Sequence, residues 1–493
     1  MHWRVVLQLV ALINLALGVS MAAPLAFGVS LGEGDVLAFG LAMAATLAVN
    51  GPVFLACRRA EAAIGHREGM LVVTLGWFSA CIFAALPFYF YGLLSGNAEF
   101  SLFTNAVFES ASGLTTTGAT ILSAIETLPH GILWWRSIIQ WYGGMGIIVF
   151  SLALLPKLGV GGMQLYRAEV PGPVADKATP RIQDTARLLW QTYVVISAAQ
   201  VLLLVLAGMG VFDAFCHTFT TMATGGFSTR NAGIMAFAHQ PQILIVLIVF
   251  MFIAGANFGL NVAFLVNRKF TAHVRDPEFR VYTILTLAMA AIIAVFLLAK
   301  GLMDSVSDAV LHSLFNVVTI MTTTGYNSTD FEAWNTVVPV SGFLLFTAMF
   351  LGGMSGSTGG GIKTMRVWLL TKTALRELKR LVHPHGVFKV RAGERTVAEP
   401  VIAEMAGFFI LYLFIYFLGV VVVSLDRVDF VTASTTVASC IGNVGPGLGR
   451  VGPTDNYGFY ASWVKWFLSL LMVVGRLELY TVLVLLVPAF WKR

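Results

Sequence analysis

Thr115-Thr116-Thr117-Gly118-Ala119 stands between two long apolar runs, and related segments return as Ala223-Thr224-Gly225, Thr323-Thr324-Gly325 and Asn443-Val444-Gly445. The glycines Gly118, Gly225, Gly325 and Gly445 are 107, 100 and 120 residues apart. A Phe stands ten residues before three of them (Phe108, Phe215, Phe315), with Thr435 at that place in the fourth. A glycine follows 26–30 residues later in each case: Gly144, Gly255, Gly353 and Gly475. A repeat of this length restricts the fold to four copies of one plan, arranged so that the copies meet.

Composition says where they meet. Of 493 residues, 57% are apolar and 11% charged, against about 25% charged in a soluble domain. The apolar runs reach the roughly 20 residues a membrane-crossing helix needs. Weakly alternating strands of the barrel type are absent. The expected class is an all-α polytopic membrane protein.

Charge sets the orientation. Of 31 Lys and Arg, 24 lie at the two ends or in segments 57–68, 157–187, 268–280 and 363–395. The positive-inside rule places those segments and both termini in the cytoplasm. The net charge of +6 is thereby a matter of topology, and it gives no support for nucleic-acid binding. The four cysteines (Cys57, Cys81, Cys216 and Cys440) have no CxxC spacing, so neither a disulfide framework nor a metal cluster is expected. Arg4 before an apolar run resembles a signal peptide. No convincing cleavage end follows, and the segment reads as a retained helix.

In order, residues 1–60 read as a helical hairpin (4–30 and 36–57). Four units of helix, re-entrant stretch and helix follow, over 61–160, 161–270, 271–395 and 396–493. Their helices are expected near 69–94 and 129–156, 186–210 and 240–267, 281–302 and 337–378, and 399–425 and 461–490. Only the second helix of unit three is expected to be interrupted. Two spans per unit keep all four units in one orientation, unlike the inverted repeats of many transporters.

A re-entrant helix must end partway through the membrane, where irregular backbone is tolerated only inside protein or beside water. Gly opens backbone angles closed to other residues, and a Thr hydroxyl adds an oxygen. Four convergent segments can line a path with carbonyls that replace an ion's hydration shell. The candidate filter is Thr116, Thr117, Gly118, Ala223, Thr224, Gly225, Thr323, Thr324, Gly325, Asn443, Val444 and Gly445. No carboxylate falls among these residues, which disfavours divalent ions. The plainer alternative, small residues marking tight helix packing, explains one such segment better than four.

The four-unit plan, the leading hairpin and the string Gly352-Gly353-Met354-Ser355-Gly356-Ser357-Thr358-Gly359-Gly360-Gly361-Ile362-Lys363 resemble the TrkH subunit of bacterial Trk potassium uptake systems, a family grouped with KtrB and plant HKT proteins. Trp141-Tyr142-Gly143-Gly144-Met145-Gly146 and Gly475-Arg476-Leu477-Glu478 are similar to its other motifs. The hairpin favours the TrkH branch. The resemblance implies K⁺ as the transported ion, with one filter glycine per unit accompanying K⁺ preference and Ser in the first unit accompanying Na⁺ permeation. It also implies a homodimer in the bacterial inner membrane, in contact with lipid, and a cytosolic TrkA-like ring that binds any regulatory nucleotide. No nucleotide is expected on this chain.

Segment 352–361 places six glycines in ten residues, each costing about 1 kcal/mol in a helix interior. The helix should break there into a loop, which reads as a gate of Gly352, Gly353, Gly356, Ser357, Thr358, Gly359, Gly360, Gly361 and Lys363. Gly356 to Lys363 faintly resembles a phosphate-binding loop, but Ile362 intrudes and no strand precedes it. Arg476, mid-helix, is expensive at membrane depth and so a functional candidate. It reads as part of the gate, the alternative being a structural Arg paired with Glu478 or Glu404. Glu109, His217 and His312 read as structural groups of the pore helices.

The expected function is K⁺ uptake through the four-part filter, gated by the loop and Arg476. A symporter coupling K⁺ to H⁺ or Na⁺ is the alternative, although no clear midplane carboxylate or His lies in the ion path. An enzyme is not expected, because no nucleophile–base pair is found at membrane depth.

Overall fold

The computed structural model describes residues 1–59, 65–154 and 182–492. The basic stretch 157–187, expected to offer a cytoplasmic docking surface, falls mostly outside the described residues.

Among the described residues, six helical stretches are long and apolar enough to cross a membrane: Trp3–Leu31, Val36–Cys57, Arg67–Ser95, Asp184–Leu206, Pro277–Ala299 and Glu399–Ser424. The first two are the expected hairpin, and the other four are the outer helices of the four units. Uninterrupted Leu, Val, Ile and Phe supply their lipid-facing surface, as at Leu202, Ile284, Ile410 and Val421. Buried polar ties join the hairpin to unit one. Asn14 Nδ2 donates to Asn50 Oδ1 at 3.1 Å and to Ser79 Oγ at 3.1 Å. Such bonds help fix helix pairs where the hydrophobic effect cannot.

Each outer helix is followed by a short buried one: Phe103–Leu114, Val211–Met222, Val306–Met321 and Phe430–Gly442. At 1.5 Å per residue these run roughly 18–24 Å, too short for a hydrocarbon core of about 30 Å. Their starts follow local chemistry. Ser305 accepts from Ser307 N, and Asp429 accepts from Thr432 N, satisfying N–H groups the helix cannot.

The inner helices differ among the units. Unit one has His130–Leu154. Unit three has Pro339–Phe350, then the glycine loop, then Thr364–Val382. The loop is closed by a two-residue parallel pairing of Leu351–Gly352 with Ile362–Lys363. A small antiparallel pair, Arg391–Ala392 with Arg395–Thr396, lies in the basic segment that follows.

Two inner helices expected to be continuous are broken. In unit two, Pro241–Ala254 meets Phe258–Leu265 at 107°, with Asn257 capping the second piece by accepting from Gly259 N. In unit four, Ser462–Arg476 meets Tyr480–Leu486 at 109°. There the turn is made by Glu478 and Leu479 at φ 56° and 45°. Neither residue signals a left-handed turn in sequence, so the apolar run conceals the break.

Both chain ends reach the start of the first outer helix. The N-terminal ammonium lies 4.0 Å from Glu68 Oε1, and Arg67 Nη1 donates to Lys492 O at 2.5 Å. Trp3 stacks on Trp491 at 6.0 Å.

Candidate functional site

All four buried helices end in one motif. A left-handed residue follows the helix, two positions on in units one to three and one position on in unit four: Thr116, Thr224, Thr323 and Asn443 have φ of 54°, 55°, 60° and 55°. The residue after it donates its N–H five residues back, Thr117 to Ser112 O, Gly225 to Thr220 O and Thr324 to Thr319 O at 2.8 Å, and Val444 to Ser439 O at 2.9 Å. This is a Schellman cap, which normally uses Gly at the left-handed position. A β-branched residue there is a genuine outlier, and three Thr hold that place. A second positive-φ residue follows two positions on: Gly118, Gly226, Gly325 and Gly445, at 83°, 77°, 81° and 103°.

The register in unit two therefore differs by one from the sequence reading. Gly226, rather than Gly225, is the counterpart of Gly118, Gly325 and Gly445. The Phe spacing misled, because the true counterpart of Phe108 and Phe315 is Cys216. Phe108, Phe315 and Cys216 are buried, whereas Phe215 is 37% exposed.

These glycines close a ring. A Cβ on Gly118 would stand 2.2 Å from the carbonyl oxygen of Gly225, on Gly226 2.0 Å from that of Thr324, on Gly325 1.9 Å from that of Val444, and on Gly445 2.7 Å from that of Thr117. Each unit's glycine thus packs on the carbonyl of the next unit, and the fourth returns to the first.

Polar ties hold adjacent units from behind. Between one and two, Gln140 Nε2 donates to Gly225 O at 2.7 Å, and Arg136 Nη1 donates to Ser228 O at 3.0 Å. Between two and three, Tyr326 Oη donates to His217 O at 3.1 Å. Between three and four, Gly449 N donates to Glu332 Oε1 at 2.9 Å. Between four and one, Asn443 Nδ2 donates to Thr117 Oγ1 at 2.9 Å.

Seven residues before each left-handed residue stands a polar side chain: Glu109, His217, Asn316 and Thr436. Glu109 accepts from Thr120 Oγ1 at 2.9 Å and Ile121 N at 3.1 Å. His217 Nδ1–H donates to Asp213 O, and Nε2 lies 3.0 Å from Ser228 Oγ. Asn316 Nδ2 donates to Thr329 Oγ1 at 3.1 Å, and His312 Nδ1 lies 3.0 Å from Ser328 Oγ. Three of the four grip the irregular chain that follows the ring segment of their own unit. Thr436 is hydrogen-bonded to Tyr460 instead.

Below the ring lies the glycine loop. Thr358 Oγ1 donates to Met222 O and Ala254 O, each at 3.1 Å. Met354 N donates to Gly255 O at 2.8 Å, and Phe258 N to Gly356 O at 3.0 Å. The breaks of units two and three therefore interlock. Gly360 N donates to Thr323 Oγ1 at 2.7 Å. A Cβ on Gly359 would lie 3.0 Å from Thr322 O, and one on Gly360 2.3 Å from Gly442 O. Lys363 Nζ donates to Gly359 O, Gly359 N donates to Ser357 Oγ, and Thr364 Oγ1 donates to Gly352 O. Gly353 O accepts from Thr364 N, while Gly361 and Gly356 supply positive φ.

Arg476 is 2% exposed. Its Nη1 donates to Thr358 O at 2.6 Å and its Nη2 to Gly143 O at 3.3 Å. It thus links the loop of unit three to the inner helix of unit one. The alternative pairing with Glu478 fails, since that carboxylate meets Arg366 at 2.6 Å. Glu278 and Gln140 were not anticipated. Glu278 Oε1 accepts from Ser355 N at 2.9 Å and Met365 N at 3.1 Å, clasping both ends of the loop. Its place in the first turn of a helix after Asp276-Pro277 reads in sequence as ordinary helix-start chemistry.

The TrkH description of cation transport proteins matches residues 38–493. The chain is 40% identical over 494 residues to the Trk system potassium uptake protein TrkH of Salmonella typhimurium, covering 100% of both. It is 36% identical to the Trk system potassium uptake protein TrkI of Halomonas elongata, covering 100% of this chain and 98% of that one. The crystal structure of the potassium transporter TrkH from Vibrio parahaemolyticus superposes with a TM-score of 0.90 at 36% identity over 100% of both chains.

Two outcomes check the site's frame. Phe108→Ala should destabilise the fold by about 3–5 kcal/mol, and Phe215→Ala by about 0.5 kcal/mol, as measured by thermal unfolding in detergent. An equal loss from both would restore the Gly225 register. Glu109→Gln strands Arg136, 1% exposed, beside a neutral group and should cost about 3–5 kcal/mol. Glu109→Gln with Arg136→Gln should recover part of that loss in the same assay.

Proposed function

The chain belongs to the TrkH family of cation transport proteins, and from that premise we propose that it carries K⁺ inward through the four-unit ring. The observation that supports this most is the closure of that ring. Four backbone segments, each with a glycine packed on the next unit's carbonyl, bring their carbonyls together, and carbonyl oxygens in such a ring replace an ion's water. The four buried helices all end at the ring, so their negative ends point where a cation would wait. The proposed filter is Thr116–Gly118, Thr224–Gly226, Thr323–Gly325 and Asn443–Gly445, with Ala223 one step below the ring.

The proposed gate is Gly352–Gly361 with Lys363 and Arg476. In this conformation the loop lies against the base of units three and four, and a buried guanidinium stands below it. A cation passing inward meets both. Opening must break the Arg476–Thr358 bond and withdraw the loop from Thr323. We further propose a homodimer in the bacterial inner membrane with both termini cytoplasmic. A TrkA-like cytosolic ring would act on the basic segments and bind the regulatory nucleotide. The clustering of both termini at Arg67 and Glu68 supports a shared side.

Coupling of K⁺ to H⁺ or Na⁺ is the second reading. It needs a titratable group in the ion path, and Glu109, a buried carboxylate on the first pore helix, is held by Arg136 and Thr120. In vesicles holding purified protein, the reversal voltage should follow the K⁺ gradient alone; a shift with an imposed proton gradient would favour coupling.

Arg476→Ala should raise K⁺ flux severalfold in the absence of any partner, and unchanged flux removes the arginine from the gate. Gly226→Ser should lower K⁺ over Na⁺ discrimination as strongly as Gly118→Ser. Gly225→Ser, which meets the Gln140 side chain at 2.5 Å rather than backbone, should lower it less. The permeability ratio decides between the two registers.

A further inference from the structure

The rung at the base of the ring is formed by the four left-handed residues, and their side chains are not equivalent. Thr116 Oγ1 and Asn443 Oδ1 are buried and have no hydrogen-bond partner among the described residues. Thr224 Oγ1 donates to Ala223 O at 2.6 Å. Thr323 Oγ1 accepts from Gly360 N–H at 2.7 Å. Two oxygens of the rung are thus left without a donor, and a third is taken by the gate loop. Buried polar atoms without partners are uncommon, and each asks for a ligand. A bare monovalent cation is a ligand that oxygen acceptors alone can satisfy.

We propose that Thr323 is where the permeating ion and the closed loop compete, so that ion occupancy of the lowest rung itself disfavours closure. The inference rests on the pore reading above. An amide hydrogen and a cation both seek the lone pairs of the same hydroxyl, and the positive end of the N–H repels an ion placed beside it. Gly360 is therefore a stand-in for the ion. Its position requires glycine, since a Cβ there would lie 2.3 Å from Gly442 O and 3.0 Å from Asn443 Oδ1. The same residue thus abuts two adjacent quarters of the rung. When an ion occupies the rung, the loop loses its bond to Thr323. The remaining ties, to Met222, Ala254, Gly255, Phe258, Glu278 and Arg476, must then hold it without that bond. K⁺ arriving from outside lowers the cost of opening, and an empty filter leaves the loop latched.

The test uses the full-length protein in vesicles without a cytosolic partner. Thr323→Val removes the acceptor at nearly constant shape and should raise basal K⁺ flux roughly 2- to 10-fold, the span set by one hydrogen bond. Thr323→Ser, which keeps the acceptor, should leak less than Thr323→Val. In Ser357→Cys protein, thiol labelling should be faster in K⁺ than in N-methylglucamine, because the four native cysteines are buried and the new thiol reports the loop. That dependence should vanish when Thr323→Val is added. Labelling independent of K⁺ overturns the proposal, with or without a folded Thr323→Val protein, as does unaltered flux in Thr323→Val. If Arg476→Ala also conducts no K⁺, the pore reading itself fails. If Arg476→Ala leaks while Thr323→Val stays tight, only the coupling fails.

Discussion

Four stretches of backbone lie against one another in a closed ring. Glycine on one unit meets a carbonyl on the next at separations that exclude even a methyl group, and this holds at all four junctions. Other features follow from that approach. A helix entering this space must stop short, and a Schellman cap stops it. The chain must then leave through conformations that Thr and Asn adopt only at a cost. Such strain persists where the surroundings over-determine it. Here they do so through a carboxylate, an imidazole and an amide in three units, and through ties between every pair of neighbours. The ring segments are held from behind, and the ring's opening is a property of the whole wall.

Much of this was legible in the chain. Long apolar runs announce spanning helices, and the fourfold return of Thr and Gly announces the ring. The six glycines at 352–361 announce the loop, because so much glycine cannot remain helical. The one-residue offset in unit two was hidden by chance. Phe215 occupies the place where Phe108 and Phe315 would lead one to look, beside the Gly225-Gly226 pair, and only backbone conformation separates the two glycines. The breaks after Ala254 and Arg476 were hidden for another reason. Hydropathy is blind to direction, and a chain that turns through a right angle inside an apolar environment keeps the same composition. Glu278 was hidden because its partners are backbone amides 77 and 87 residues away, which leave no trace in local pattern.

The loop joins what the sequence separates. Its bonds reach Met222 and Ala254 in unit two, Thr323 in its own unit and Arg476 in unit four, and that arginine continues to Gly143 in unit one. A displacement of the loop is therefore felt by every unit. The breaks of units two and three interlock at this loop.

Arg476 follows Gly475, at the depth where units one and two carry Gly144 and Gly255 against the ends of neighbouring buried helices. Its singularity has a consequence for how such a pore can be built. Were the four walls supplied by four identical chains, any residue would arrive in quadruplicate, and an arginine at this depth would bring four positive charges into one constriction. The same holds for a glycine loop, since four of them would compete for one space. Writing the walls into a single polypeptide removes that obligation. One wall can contribute a single charge and another a single flap, so that an almost symmetric conduit carries parts present in a stoichiometry of one.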